Sequence, residues 1–525
     1  MAVAFSGDRD TGGLAQQVTR EVYAVVAADT MARPLTCVTA HCIRARNLAP
    51  IRDAATSAAA GAAPLSRGTT CAHSARAPAS LALTPPARPL RPSPHPAAPA
   101  PRSAAALAAV ALAAGPEQIH IAYAPTGGFA VDFVSPAPGP GAVRFGLNAS
   151  GPFARANTSS LAVASIGTLH QARFAFAGAA PGQRAYYQVT AAGLDSAVFE
   201  LTPVVARAEV FAVFGDFGLR NDKSMAALVA EAQAGVFDSV LHVGDWAYKH
   251  VPRPRPSPAP PPPNHHSPEL LTLTQPRPNP ASTAARPALT LTPHSFEEDT
   301  GCGTPSCVGN SFMRLVQGYA AVKPTMPVAG NHEACPACPA VPGIELSAGN
   351  FSEYRARFHS VTLASNSGNN IFYSFEQQLT HFIVFSAEAY LYAKSDAFIA
   401  NQLAFMKADL AAVDRARTPW VVALVHKDWT MEAAAFADFA PVLNGGGVDL
   451  LFCGHVHNYQ RYIPFNSVTG QADSASVSAD THTYAEPKYM VTIVTGASGD
   501  REDDSKCPSP LKSPEVQCSE NYGYG

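Results

Sequence analysis

The chain has 525 residues, of which 47% are hydrophobic and 15% charged, with a formal net charge of −3 and a pI near 6.6. That length calls for two or three folded units, and that charge excludes an electrostatic footprint for nucleic acid or an anionic membrane. No stretch reaches the ~18 apolar residues that a membrane-spanning helix needs.

Residues 54–116 contain no Asp or Glu, and Ala, Pro, Ser and Arg dominate. Such a segment buries too little apolar area to offset its ordering entropy, so residues 1–114 are expected to be mostly disordered. The apolar run 104–114 behind Arg102 resembles a secretory h-region, but it lies far too late for a signal peptide. Either the true start is near 80–100, with a mispredicted extension upstream, or the run is an Ala-rich linker. From Pro116 the texture changes to alternating short runs at 118–122, 129–134, 143–146, 170–176 and 186–190, separated by Gly and Pro. That spacing predicts a small β-sandwich over 115–205.

Beyond Arg207 the pattern becomes βα. Apolar runs at 210–214, 240–243, 326–329, 382–385, 420–425, 450–453 and 490–494 suit buried strands. Amphipathic stretches at 224–234, 396–415 and 432–443 suit helices, which predicts an α/β layer architecture over 206–525. Residues 251–293 break the pattern with fourteen of the 47 prolines. They are expected to be an extruded disordered insert or a retained intron, with His265 and His266 a solvated pair.

Seven of the ten cysteines lie beyond residue 300. Close spacing predicts disulfides Cys302–Cys307, Cys335–Cys338 and Cys507–Cys518, with metal binding or redox activity the alternative for Cys335 and Cys338, and an apolar strand predicts Cys453 as a buried free thiol. With sequons at Asn148, Asn157 and Asn350, this suits an oxidising compartment and a glycoprotein.

Five apolar runs finish in metal-ligand residue types: Gly215-Asp216-Phe217-Gly218, Gly244-Asp245-Trp246-Ala247-Tyr248, Gly330-Asn331-His332-Glu333, Val425-His426 and Gly454-His455-Val456-His457. In an α/β sheet, ligands gather beyond the carboxyl ends of strands, so all five segments can meet in one crevice. Carboxylate, imidazole, amide and phenolate together match first-row metals and not an all-oxygen cage.

The set GDxG, GDxxY, GNHE, VxH and GHxH resembles the purple acid phosphatases of the metallophosphoesterase superfamily, in their long plant, algal or animal form. The resemblance extends over about 115–250 and 294–525. It implies a metallophosphoesterase β-sandwich flanked by helices, behind a small all-β fibronectin type III-like domain. It also implies an Fe(III) held by Asp216, Tyr248 and His457, and a divalent Zn, Mn or Fe held by Asn331, His426 and His455, with Asp245 bridging. Hydroxide generated there would attack phosphorus, and His332 would donate a hydrogen bond to the phosphate or protonate the leaving oxygen. The expected partners are small phosphate-ester substrates, with no nucleic acid and no membrane, and a homodimer is allowed. The expected location is secreted, vacuolar or lysosomal.

The chain departs from that pattern in three places. No histidine occurs between His426 and His455, so Lys427, Asp428 or Glu432 are the candidates to replace the usual ones. Gln460 stands where Glu is usual, and the sequence stops at Tyr522-Gly-Tyr-Gly, where relatives continue with further strands. Two alternatives stay open: a phosphodiesterase or nucleotide pyrophosphatase on the same scaffold, and a non-catalytic binding protein or defective gene product.

Overall fold

The computed structural model describes residues 115–124, 127–219, 224–248, 307–334, 351–393, 395–479 and 483–499, then Cys507, Leu511 and the strand Glu515–Ser519. Nearer the amino terminus it describes the backbone of three short strands, Ala2–Phe5, Val22–Val25 and Leu35–Thr39. The remainder of the 1–114 expectation, the 251–293 insert, and the pairings expected at Cys302 and at Cys335 with Cys338 lie outside the described residues.

Two antiparallel sheets follow Pro116. One runs Glu117–Tyr123, Phe129–Ser135, Gly167–Phe174, Ser159–Val163. The other runs Leu194–Asp195, Ala185–Ala191, Gly141–Gly146, Ala154–Asn157, with Phe199–Leu201 also paired to Ala185–Ala191. All five expected strands occur. Ala154–Asn157 and Ser159–Val163 were not expected, because they are mostly exposed and carry no apolar alternation.

Phe129–Ser135 is buried at every position and not at alternate ones. A strand's side chains alternate between faces, so both faces of this sheet must be covered. Phe129, Val131 and Phe133 enter the main core, whereas Val134 packs beside Ala356 of the helix Ser352–Arg357. On that second side Asp132 Oδ1 accepts from the Ser360 amide at 3.1 Å. Arg357, also buried, donates to Gln118 Oε1 at 2.8 Å and pairs with Glu353 at 2.9 Å. The Tyr187 hydroxyl donates to Ala321 O at 2.6 Å.

Two further sheets have seven strands each. The first is ordered Thr325–Pro327, Ser239–His242, Val210–Phe214, Val22–Val25, Leu35–Thr39, Ala2–Phe5, Thr483–Ala485. Its three leading strands are mutually parallel. The second is ordered Tyr373–Gln377, Thr380–Val384, Trp420–Leu424, Leu450–Cys453, Val491–Thr495, Tyr459–Tyr462, Glu515–Ser519. There the run from Thr380–Val384 to Val491–Thr495 is parallel. The sheets meet through Phe211 and Phe382, with ring centroids 5.0 Å apart, and through the Thr495 hydroxyl on Val213 O. Helices Met225–Ala234 and Cys307–Ala320 pack together, as do Asp396–Ala411 and Ala433–Gly445. All seven expected strands are present, five of them with shifted ends, and the helix expected over 396–415 stops at Ala411.

Cys307–Ala320 was not expected, and neither were the short helices Ser352–Arg357 and His359–Ala364. Gly309 and Gly318 weaken the local helix signal of the first. Gly318 is required by packing, since a Cβ there would stand 2.7 Å from Val229 Cγ2.

Glu209 links the amino-terminal sheets to the first seven-stranded sheet. Its buried Oε1 accepts from the Tyr123 hydroxyl on one side and from the Ser239 hydroxyl, at 3.1 Å, on the other. Burial, opposed by those bonds, raises its pKa from 4.5 to about 7. A carboxyl whose folded value is raised stabilises the fold fully below its unfolded value and loses that contribution as pH rises through about 7. Glu209→Gln keeps both acceptor bonds without the ionisation. Relative to wild type it should gain on the order of 2–3 kcal/mol between pH 5 and pH 8 in denaturant titrations. Parallel curves for the two proteins would refute the assignment.

Cys507 and Cys518 form a disulfide, and Cys453 is free and buried, both as expected. The bridge ties the edge strand Glu515–Ser519, which pairs with Tyr459–Tyr462. Non-reducing peptide mapping should recover residues 507 and 518 in one linked peptide, with Cys453 alkylating only after unfolding. A bridged Cys453 would contradict the fold at this point.

Candidate metal centre

The carboxyl ends of the parallel strands carry the candidate residues. Asp216 follows Val210–Phe214, Asp245 follows Ser239–His242, and Tyr248 closes the short strand Trp246–Tyr248. Asn331 and His332 open the turn Asn331–Glu333 behind Thr325–Pro327. His426 follows Trp420–Leu424, and His455 and His457 follow Leu450–Cys453.

Asp216, Asp245 and His455 all have positive φ, of 62°, 54° and 67°. Left-handed backbone is costly for residues with a Cβ, and it collects at functional sites that the surrounding structure holds rigid. Each turn throws its side chain back across the strand ends. Gly244, at φ 97°, is one of the positions where a side chain does not fit, because a Cβ there would lie 2.5 Å from His426 Nδ1.

The structure brings all eight predicted residues together. Asp245 Oδ2 accepts from the Tyr248 hydroxyl at 2.5 Å and lies 3.0 Å from His426 Nε2. Its Oδ1 accepts from the His332 amide at 2.9 Å. On one side Tyr248 Oη is 3.4 Å from Asp216 Oδ1 and 3.3 Å from His457 Nε2, and His457 Nε2 is 3.3 Å from Asp216 Oδ1. On the other, His426 Nε2 is 3.1 Å from Asn331 Oδ1, and donor atoms of Asp245, His426 and His455 lie within 4.8 Å of one another. His332 rests its ring 4.3 Å from that of Tyr248. Two groups of donors thus share Asp245.

The electrostatics follow from burial. Withdrawal from water works against the Asp245 anion, but His426, His332 and His455 outweigh it and hold the group well below the usual carboxylate range. Burial likewise opposes charge on His426, yet Asp245, in contact, pushes it up to about 9. His455 goes the other way, to about 2, through burial and the neighbouring His426.

These residues fit first-row metal ions on two observations beyond their types. His426 Nδ1 donates to Val243 O at 2.8 Å, which fixes the ring and aims Nε2 into the cluster. His455 Nδ1 is buried with no hydrogen-bond partner among the described residues.

Glu333 is the residue whose part the motif alone did not reveal. It is buried, and its carboxylate accepts from the amides of Gly330 at 2.8 Å, Asp245 at 2.9 Å and Trp246 at 2.8 Å. It therefore clamps the turn bearing Asn331 onto the turn bearing Asp245. Of the candidates to replace the missing histidines, Asp428 is buried and accepts from the Thr430 amide and hydroxyl of its own loop, at 2.9 and 2.6 Å. Lys427 pairs with Glu388 at 3.0 Å. Glu432 is half-buried at the start of Ala433–Gly445. Gln460 accepts from Tyr462 in its own strand.

The calcineurin-like phosphoesterase family model matches residues 295–459. Acid phosphatase type 7 of Mus musculus is 27% identical over 444 residues, covering 78% of this chain and 84% of the relative. Its Homo sapiens counterpart is 27% identical over 446 residues, with the same coverage. Purple acid phosphatase 18 of Arabidopsis thaliana is 32% identical over 227 residues, covering 41% of this chain and 45% of the relative. Among solved structures, a purple acid phosphatase from yellow lupin (Lupinus luteus) seeds superposes with a TM-score of 0.51 at 14% identity. It covers 78% of this chain and 68% of that one, a likeness of fold. Residues 295–459 thus match a calcineurin-like phosphoesterase domain on a mixed α/β metallophosphoesterase fold, and the chain is similar to proteins named acid phosphatase type 7 and purple acid phosphatase.

Proposed function

We propose that this protein is an acid phosphatase hydrolysing small phosphate monoesters at a dinuclear centre. Asp216, Tyr248 and His457 would hold ferric iron, and Asn331, His426 and His455 a divalent zinc, manganese or iron, with Asp245 shared. The observation that carries this reading is the meeting of two donor groups at one buried carboxylate. When bound, such a metal pair supplies Lewis acidity to phosphoryl oxygens and lowers the pKa of water.

The chain's own residues then orient and enclose. Asp245 places both donor groups on one centre, Glu333 fixes the height of its turn, and Val243 O sets the tautomer of His426. His332, half-buried against Tyr248, offers an imidazole beside the cluster for hydrogen bonding to substrate or for protonating the leaving oxygen. The names of the relatives, acid phosphatase type 7 and purple acid phosphatase 18, support this substrate class.

We read residues 115–205 as fibronectin type III-like, in line with two antiparallel sheets over a shared core. A secretory destination is supported by the Cys507–Cys518 bridge. No described helix is long and apolar enough to cross a membrane.

Tyr248→Phe keeps the ring and removes the phenolate. The variant should lose the visible absorption of an iron–tyrosinate centre while retaining both metals and part of its activity, read by spectrum, metal analysis and p-nitrophenyl phosphate hydrolysis. Asp245→Ala should abolish metal retention and hydrolysis together. A colourless wild type holding stoichiometric iron would overturn the tyrosinate assignment. Glu333→Gln offers one carbonyl oxygen to three amides. It should cost about 1–3 kcal/mol of stability and weaken metal retention, with melting and metal content as readouts. Unchanged values for both would remove Glu333 from its positioning role.

A further inference from the structure

Two further chain segments run past the ends of neighbouring parallel strands beside the candidate centre. Thr380–Val384 leads to Glu388, and its neighbour Trp420–Leu424 leads through His426 to Lys427. There Lys427 Nζ meets Glu388 Oε2 at 3.0 Å, with the two side chains 7% and 0% exposed. Tyr392, part-buried on the turn Ala389–Ala393, holds its ring 5.9 Å from the same ammonium.

A buried ion pair is poor stabilisation, because desolvating two charges offsets their attraction, and apolar residues of similar volume serve as well or better. Here the pair is also incompletely matched. Lys427 carries three N–H donors, of which Glu388 takes one, and Glu388 Oε1 has no hydrogen-bond partner among the described residues. The pair stands beside the donor cluster, because Lys427 directly follows His426 and Glu388 lies just past the end of the adjacent parallel strand. A phosphate ester seated there is anionic. Asp428 and Glu432 would repel it, and Asp428 is already committed to its own loop.

We propose that Lys427, held in place by Glu388, is the cation that grips a non-bridging oxygen of the phosphate beside the metal centre. Glu388 is its positioning residue. The proposal rests on the phosphatase reading above and adds the group that recognises the substrate's phosphate.

The test uses the metal-loaded full chain and inorganic phosphate as the probe, titrated calorimetrically, alongside p-nitrophenyl phosphate kinetics. Lys427→Met should weaken phosphate binding and raise KM by about tenfold or more, the scale of one hydrogen bond to a charged group. Metal content should hold and kcat should change less than KM, while Lys427→Arg recovers part of the loss. Because Lys427→Met strands a buried carboxylate and is liable to misfold, the double variant Lys427→Met/Glu388→Gln removes both charges. It should fold with a melting temperature near that of wild type and show the same loss of phosphate affinity. Phosphate affinity within twofold of wild type in the double variant, or a loss confined to melting temperature, would overturn the proposal. A wild type that binds phosphate without hydrolysing the ester would defeat the phosphatase reading while the binding comparison still decides Lys427.

Discussion

One buried carboxylate, that of Asp245, takes hydrogen bonds or close contacts from Tyr248, His426 and the His332 amide, each on a different segment. A charge withdrawn from water needs such partners. They exist here only because the carboxyl ends of strands from two sheets stay level with one another. Glu333 sets that level directly, since its three amide bonds join the turn after Ser239–His242 to the turn after Thr325–Pro327. The contact between Phe211 and Phe382 and the bond from Thr495 to Val213 fix one sheet against the other.

The strained turns are sustained by that rigidity. Asp216, Asp245 and His455 adopt left-handed backbone that isolated chains avoid. The surrounding hydrogen bonds compensate: the Asp216 amide donates to Gly244 O, and the His455 amide donates to Asp216 Oδ2. The Asp216 turn is thus held by the turn of its neighbouring strand, and the His455 turn by Asp216 across the two sheets.

The amino-terminal sheets stiffen the assembly from the other side. Their inward-turned polar residues, Asp132 and Gln118, find partners in Ser360 and Arg357. Glu209 and Tyr123 close a second polar seam against Ser239, the first residue of the strand that delivers Asp245. Burial of these groups is tolerable because each is hydrogen-bonded across the seam, which makes the seam specific as well as tight.

The eight candidate residues were legible in the sequence because each follows an apolar run, and strand ends in a parallel layer face one crevice. The Cys507–Cys518 bridge was legible from its short separation, and Cys453 from the apolar run around it. What sequence could not supply was the third dimension of burial. The uniform burial of Phe129–Ser135 arises from a second surface contributed by residues more than two hundred positions away. Cys307–Ala320 is a helix despite its glycines, and Gly318 sits where a Cβ would crowd Val229 of the helix packed against it. Glu333 lay inside a recognised motif, yet its task depends on amides that strand pairing brings to it. Lys427 and Glu388, 39 residues apart, become a pair because two parallel strands end side by side. Local residue types determined which atoms were available for chemistry; tertiary packing decided which of them were desolvated together, and desolvation is what gives those charges their strength.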